Sequence, residues 1–176
     1  VQRELLALEV RCRQRETLQD AAGAAFAHTL NRGVRALLSG PSGTGKTLAA
    51  RVLAAVLGKD VYRVDLAAVV NKYIGETERN LRDSLRSAEL MAPCVLWLDE
   101  IEKGVGGTDT DEGVSRRLLG SLLTWMAEQR GGVFIVATAN DVSALPPELL
   151  RKGRFDELFF VDLPDEPTRA EIFRIH

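Results

Sequence analysis

The stretch Gly40-Pro41-Ser42-Gly43-Thr44-Gly45-Lys46-Thr47 meets every position of the phosphate-binding pattern G-x-x-x-x-G-K-[ST]. A loop of this kind turns backbone N–H groups toward a phosphate, and glycine permits the dihedral angles and the close approach that this needs. The lysine supplies positive charge to the β- and γ-phosphates, and the threonine hydroxyl is a ligand for Mg²⁺. The eight residues therefore predict a nucleotide-binding loop.

The sequence around this loop predicts alternating strands and helices. The strand patterns cover residues 34–39, 61–66, 94–98, 133–137 and 158–162. The helical patterns cover residues 47–57, 76–91 and 115–129, with Ser115 as the predicted N-cap of the last, and a closing helix begins near Glu166. Residues 103–113, rich in Gly, Thr and Asp, predict an exposed loop. This alternation is typical of an α/β fold with a parallel sheet and right-handed crossovers.

Composition sets the broad class of the protein. The chain has 176 residues, 45% hydrophobic and 27% charged, which fits one globular domain. A formal net charge of -2 disfavours a broad nucleic-acid surface, so no nucleic-acid partner is expected. The sequence contains no run of 18 apolar residues, so it does not predict a membrane-spanning helix. Cys12 and Cys94 lack metal-ligand spacing, and Cys94 lies in an apolar strand pattern, which favours a buried thiol and a reducing, cytoplasmic compartment.

The N-terminal part differs from the rest. Residues 1–20 place Leu5, Leu8 and Cys12 at helical spacing among charges, which predicts an amphipathic helix packed on the edge of the domain. Residues 21–32 form a connector, so we divide the chain into an N-terminal helix and connector, 1–32, and an α/β domain, 33–176. Because the chain begins with Val1, we expect it to belong to a longer protein.

Three further polar residues follow predicted strands. Asp99 and Glu100 come directly after an apolar run, where an open α/β sheet places its ligand. Asp99 is suited to hold Mg²⁺ through water, and Glu100 to orient and deprotonate an attacking water. The alternative is a pair of solvated turn carboxylates. Asn140 ends the fourth strand pattern, where it would position the same water; alone it would be read as a turn residue.

Together with Leu150-Arg-Lys-Gly-Arg-Phe-Asp156, these motifs resemble the large nucleotide-binding domain of an AAA+ ATPase of the AAA clade. The resemblance implies a P-loop NTPase three-layer sandwich with a five-stranded parallel sheet of order 5-1-4-3-2. It implies that Asp99 and Glu100 complete Walker B and that Asn140 is the sensor-1 residue. It also implies that Arg151 and Arg154 are arginine fingers that reach a neighbouring subunit's nucleotide. In such proteins a helical lid follows, and this chain ends before it.

Two segments carry weaker resemblances. Lys72-Tyr-Ile-Gly-Glu76 is similar to the aromatic-hydrophobic-glycine pore loop of the family, so Tyr73 and Ile74 are predicted to grip a substrate. The alternative is a tyrosine buried at the start of a helix. The terminal His176 resembles a histidine that lies near the adenine in the family. Within the clade the chain resembles the plastid and bacterial Ycf class and also proteins encoded beside contractile injection systems; a plastid protein would lie in the stroma.

The resemblance implies a Mg²⁺-dependent ATPase whose homo-oligomeric ring, expected to be hexameric, remodels or translocates a protein substrate. ATP and Mg²⁺ are the expected cofactors. Two other functions fit the same motifs. One is an assembly scaffold that bound ATP holds together and in which hydrolysis is incidental. The other is a nucleic-acid motor, which the net charge makes less favoured.

Overall fold

The computed structural model describes residues 6–14, 17, 33–66, 74–106, 112–129 and 132–175. Its strands are β1 (Arg35–Ser39), β2 (Val61–Asp65), β3 (Cys94–Asp99), β4 (Val133–Ala139) and β5 (Glu157–Phe160). Its helices are α1 (6–14), α2 (Lys46–Leu57), α3 (Ile74–Leu90), α4 (Ile101–Val105), α5 (Glu112–Glu128), α6 (Pro147–Leu150) and α7 (Glu166–Ile175), with a 3₁₀ turn at Val142–Ala144.

The five strands form one parallel sheet in the order β2-β3-β4-β1-β5. This is the predicted order, 5-1-4-3-2, written from the opposite edge, so the fold prediction is confirmed. The three inner strands β1, β3 and β4 are buried along almost their whole length, whereas burial is partial along the edge strands β2 and β5. Inner strands of a parallel sheet are covered on both faces, which explains their continuous apolar sequences.

Helices cover the sheet on both faces and make a three-layer sandwich. On one face, α1 and α2 pack on the strands through Leu8, Cys12, Ala50 and Leu53. The other face is covered by α3, α4 and α5, whose buried side chains include Leu81, Leu85, Ile101, Leu118, Leu122 and Met126. In the described part of the predicted N-terminal helix, Leu8 and Cys12 are buried against the face of the sheet that α2 covers. Among the described ranges, no helix is long and apolar enough to cross a membrane.

Three local predictions are wrong. The predicted loop 103–113 begins too early, because α4 extends to Val105 and buries Ile101 and Val105 one helical turn apart. Ser115 is not an N-cap, since α5 already begins at Glu112 and Ser115 lies buried inside it. The fifth strand ends at Phe160, two residues earlier than predicted. Short glycine-rich helices and helix starts depend on tertiary packing, which a local pattern does not contain.

Core packing on the inner strands predicts a sharp difference between two leucines. Leu96→Ala in β3 removes a fully buried side chain and should lower the free energy of unfolding by about 2–5 kcal/mol. Leu90→Ala, at the largely exposed end of α3, should change it by less than about 0.5 kcal/mol. Urea unfolding followed by circular dichroism measures both. Equal losses would contradict the assigned core.

Candidate functional site

The phosphate-binding motif forms a loop between the end of β1 and the start of α2. Gly40 has a φ of 144°, and a Cβ at this position would lie 2.0 Å from the Val161 carbonyl oxygen. Gly45 is the N-cap of α2 with a φ of 90°, in the left-handed region that favours glycine. Between them lie the other loop residues, and the Thr44 hydroxyl donates a hydrogen bond to the Pro41 carbonyl at 2.9 Å. The loop therefore directs the N-terminus of α2 toward the site, as an anion-binding loop requires.

Lys46 lies at the centre of this loop with only 7% of its surface exposed. Its Nζ donates to the carbonyl oxygens of Gly40 and Pro41, each at 2.7 Å. Burial lowers the pKa of Lys46, and the negative charges of Glu102, Glu100 and Asp99 partly oppose this shift. A phosphate close to the ammonium would add negative charge and stabilise its charged form.

Asp99 ends β3 and is held by two side chains from neighbouring strands. Its Oδ1 accepts a hydrogen bond from the Thr138 hydroxyl of β4 at 2.7 Å. Its Oδ2 accepts one from the guanidinium of Arg63 on β2 at 2.8 Å. Sequence reasoning missed both partners, because neither belongs to a contiguous motif.

Glu100 follows Asp99 with a φ of 47°, a strained value for a residue that is not glycine. Its Oε1 accepts a hydrogen bond from Asn140 Nδ2 at 3.1 Å, so the fold brings together the predicted base and the predicted water-positioning residue. Its Oε2 pairs with Lys103 Nζ at 2.6 Å. This hydrogen bond raises the pKa of Lys103.

A third acidic residue of the site was not predicted. Glu102 lies in α4 with 9% of its surface exposed, and its Oε1 accepts the backbone N–H of Asn140 at 2.9 Å. Its buried Oε2 has no hydrogen-bond partner among the described residues. The only signal in the sequence was its position three residues after Asp99, which places it on the first turn of a helix that the pattern did not predict.

A cleft of about 380 Å³ lies at the carboxyl ends of the strands, between the phosphate loop and the ends of β3 and β4. It is bordered by Ser42, Gly43, Gly45, Lys46, Thr47, Leu48, Arg51, Asp99, Glu100, Thr138, Ala139 and Asn140. A second, more apolar cleft of about 750 Å³ shares Gly43, Gly45 and Leu48 with the first and extends along α2 to α7 and the end of β5. A cleft at the phosphate loop that adjoins a more apolar one suits a ligand with a phosphate end and a base end.

The residues present also fit Mg²⁺. Thr47 exposes its side chain to the first cleft, and Asp99 faces the same cleft with a carboxylate, a hard oxygen ligand of the kind Mg²⁺ prefers. Within the described ranges no cluster of three or more His, Cys, Asp or Glu residues forms a metal site. Mg²⁺ commonly keeps several waters and binds through one or two protein ligands plus substrate phosphates, so this donor set is sufficient.

The predicted arginine fingers do not line either of these clefts. Arg151 is exposed at the end of α6. Arg154 is half-buried and its Nη1 donates to the Leu123 carbonyl of α5 at 2.8 Å. The loop is anchored on β1 because the Arg35 side chain donates to the Gly153 carbonyl at 3.1 Å, and the Asp156 carboxylate accepts the Arg35 N–H at 3.0 Å.

Two predicted site residues, Tyr73 and His176, lie outside the described residues. Ile74 is the first residue of α3, directly after that gap. Their predicted roles in substrate binding and near the adenine stay predictions.

Comparison with known proteins agrees with this geometry. The family model "ATPase family associated with various cellular activities (AAA)" matches residues 36–163. The AAA domain-containing protein ycf46 of Guillardia theta is 44% identical over 142 residues, which cover 80% of this chain and 28% of that protein. The ycf46 protein of Pyropia yezoensis is 40% identical over 168 residues, covering 92% of this chain and 34% of that protein. The 26S proteasome subunit RPT4 of Saccharomyces cerevisiae is 40% identical over 147 residues, covering 80% of this chain and 33% of that protein.

The chain thus spans about a third of the length of the relatives it matches. Of the two classes considered from the sequence, the ycf46 relatives support the Ycf class. The match to the family model extends from β1 through β5 and includes the loop, the acidic residues and the arginine segment. The chain belongs to the AAA family of ATPases.

Proposed function

We propose that the chain binds ATP across the two joined clefts and, with Mg²⁺, hydrolyses the bond between the γ-phosphate and ADP. The observation that carries this proposal is the convergence of Lys46, Thr47, Asp99, Glu100 and Asn140 on one cleft, from the start of α2 and the carboxyl ends of β3 and β4. Each of these side chains has the chemistry that its part in phosphoryl transfer requires, and positioning together with electrostatic stabilisation accounts for most of such catalysis.

Each residue has a defined part in the proposed reaction. Lys46 neutralises charge on the β- and γ-phosphates, and Glu100 accepts a proton from the attacking water as its oxygen bonds to the γ-phosphorus and the bridging bond to ADP breaks. Asn140 orients the Glu100 carboxylate, to which it is already hydrogen bonded. Bound Mg²⁺ would neutralise charge on the phosphate oxygens, with Thr47 and Asp99 as its protein ligands.

We further propose that the full-length protein works as a homo-oligomeric ring, expected to be hexameric, and remodels or translocates a protein substrate. The exposed position of Arg151, outside both clefts of its own chain, supports a role at a neighbouring subunit. Arg154 would have to leave the Leu123 carbonyl to act in the same way. The cytoplasm, or the stroma in a plastid, is the proposed compartment. Turnover that an unfolded protein stimulates would favour remodelling over a scaffold, and salt-sensitive DNA binding would favour a nucleic-acid motor.

Binding and hydrolysis should separate in two variants. Lys46→Ala should lose nucleotide binding, because the loop loses its phosphate-neutralising charge. Glu100→Gln should keep nucleotide affinity and lose turnover by about 10²–10⁴-fold, because only the base is removed. Equilibrium binding of a fluorescent ATP analogue and phosphate release measure the two effects. Lys152→Ala, an exposed lysine outside both clefts, is the control, and equal affinity of wild type and Lys46→Ala would sink the proposed site.

Arginine fingers that act in trans should permit complementation. In the full-length protein, Arg151→Ala and Glu100→Gln should each abolish turnover alone, while mixed rings should recover measurable activity. The first variant keeps an intact phosphate site and base, and the second supplies the arginine, which is worth roughly 10³–10⁵ in well-studied enzymes. Arg86→Ala, an exposed arginine of α3, is the matched control. Assembled mixed rings without activity would contradict a role in trans.

The pore prediction concerns Tyr73. Tyr73→Ala should abolish substrate remodelling and keep basal ATP hydrolysis, because the aromatic grip is lost while the nucleotide site is untouched. Tyr73→Phe keeps the ring and should retain most remodelling. Unfolding of a reporter protein and phosphate release are measured together. If Tyr73→Ala unfolds the domain instead, the buried-tyrosine interpretation is correct.

A further inference from the structure

An arginine on the edge strand is paired with the carboxylate that faces the phosphate loop. In the parallel register of β2 and β3, Arg63 lies opposite Trp97, and Asp65 lies opposite Asp99. Successive side chains of a strand point to opposite faces, so all four residues lie on the face of the sheet that α2 covers. The Arg63 guanidinium lies 5.1 Å from the centre of the Trp97 ring and donates to Asp99 Oδ2 at 2.8 Å.

Asp99 is also held by a side chain other than the arginine. The Thr138 hydroxyl already holds the other carboxylate oxygen at 2.7 Å, and it also accepts the backbone N–H of Glu100 at 3.2 Å. Thr138 belongs to an inner strand whose seven residues are all buried. The carboxylate therefore has a rigid support on one side, and what Arg63 adds on the other side is positive charge.

Arg63 also has room to move and a second acceptor to move to. Its side chain is 52% exposed, whereas that of Asp99 is 13% exposed. Its guanidinium lies 3.6 Å from the Asp65 carboxylate, which is 42% exposed. A guanidinium that slides from Asp99 to Asp65 keeps a carboxylate partner on the same strand, so its release from Asp99 does not leave a charge unpaired.

We propose that Arg63 competes with the nucleotide-bound divalent cation for Asp99, so that cation binding shifts the guanidinium toward Asp65. The inference rests on the proposed function, because it requires nucleotide and cation in the first cleft. A divalent cation close to Asp99 repels the guanidinium and needs the same carboxylate charge. Arg63 thereby sets how strongly the cation tightens nucleotide binding, and it compensates Asp99 when nucleotide binds without a cation.

The experiment measures the dissociation constant of a fluorescent, non-hydrolysable ATP analogue on the full-length protein with EDTA and with Mg²⁺. The ratio of the two constants is the tightening that Mg²⁺ causes. In Arg63→Met, which keeps an unbranched side chain against Trp97 and removes the charge, the ratio should rise roughly threefold to tenfold, as expected for one partly exposed charge. Arg63→Lys keeps the charge and should stay within about twofold of wild type. Arg79→Ala, an exposed arginine of α3, loses the same charge away from the cleft and should not change the ratio.

A second readout follows the guanidinium itself. The chain has two tryptophans, so Trp125→Phe leaves Trp97 as the only one of this chain, and Mg²⁺ added to the nucleotide complex should change its fluorescence. Adding Mg²⁺ to the nucleotide complex of the Trp125→Phe, Arg63→Met double variant should leave the Trp97 fluorescence unchanged. An unchanged or reduced Mg²⁺ ratio in Arg63→Met would overturn the inference, as would Trp97 emission that stays constant while Mg²⁺ tightens nucleotide binding. Wild-type protein that binds no analogue would instead refute the proposed function and the inference with it.

Discussion

The buried charge of Lys46 is the constraint on which the rest of the site depends. A nearly buried ammonium has lost most of its hydration, and an uncompensated charge of this kind is costly in a folded protein. The loop compensates it with two carbonyl oxygens. The carboxylates of Asp99, Glu100 and Glu102, which we call the acidic wall, add negative charge. The loop geometry and the acidic wall are therefore two parts of one electrostatic arrangement.

Strand β4 holds that acidic wall in place. Thr138 and Asn140 follow each other at the spacing of two that puts side chains on one face of a strand, and they reach Asp99 and Glu100 respectively. The backbone of Asn140 also donates to Glu102. A displacement at the end of β4 would therefore move all three carboxylates.

The two acids that line the phosphate cleft each have a cationic partner from the same chain. Arg63 pairs with Asp99, and Lys103 pairs with Glu100. With Lys46 and Glu102 added to these two pairs, the site combines three cationic and three anionic side chains. The named positive and negative charges of the site are therefore equal in number.

The sequence by itself determined the loop, the alternation of strands and helices, and the position of Asp99 and Glu100 at the end of β3, because each of these is a contiguous pattern with a local physical cause. The strand order followed from family resemblance. Tertiary structure decided the rest: Thr138, Glu102, Lys103 and Arg63 reach the site only through strand register and a short helix with no local signal. The anchoring of the arginine loop by Arg35 likewise joins residues 118 positions apart, a contact that depends on β1 lying beside β5 in the folded sheet.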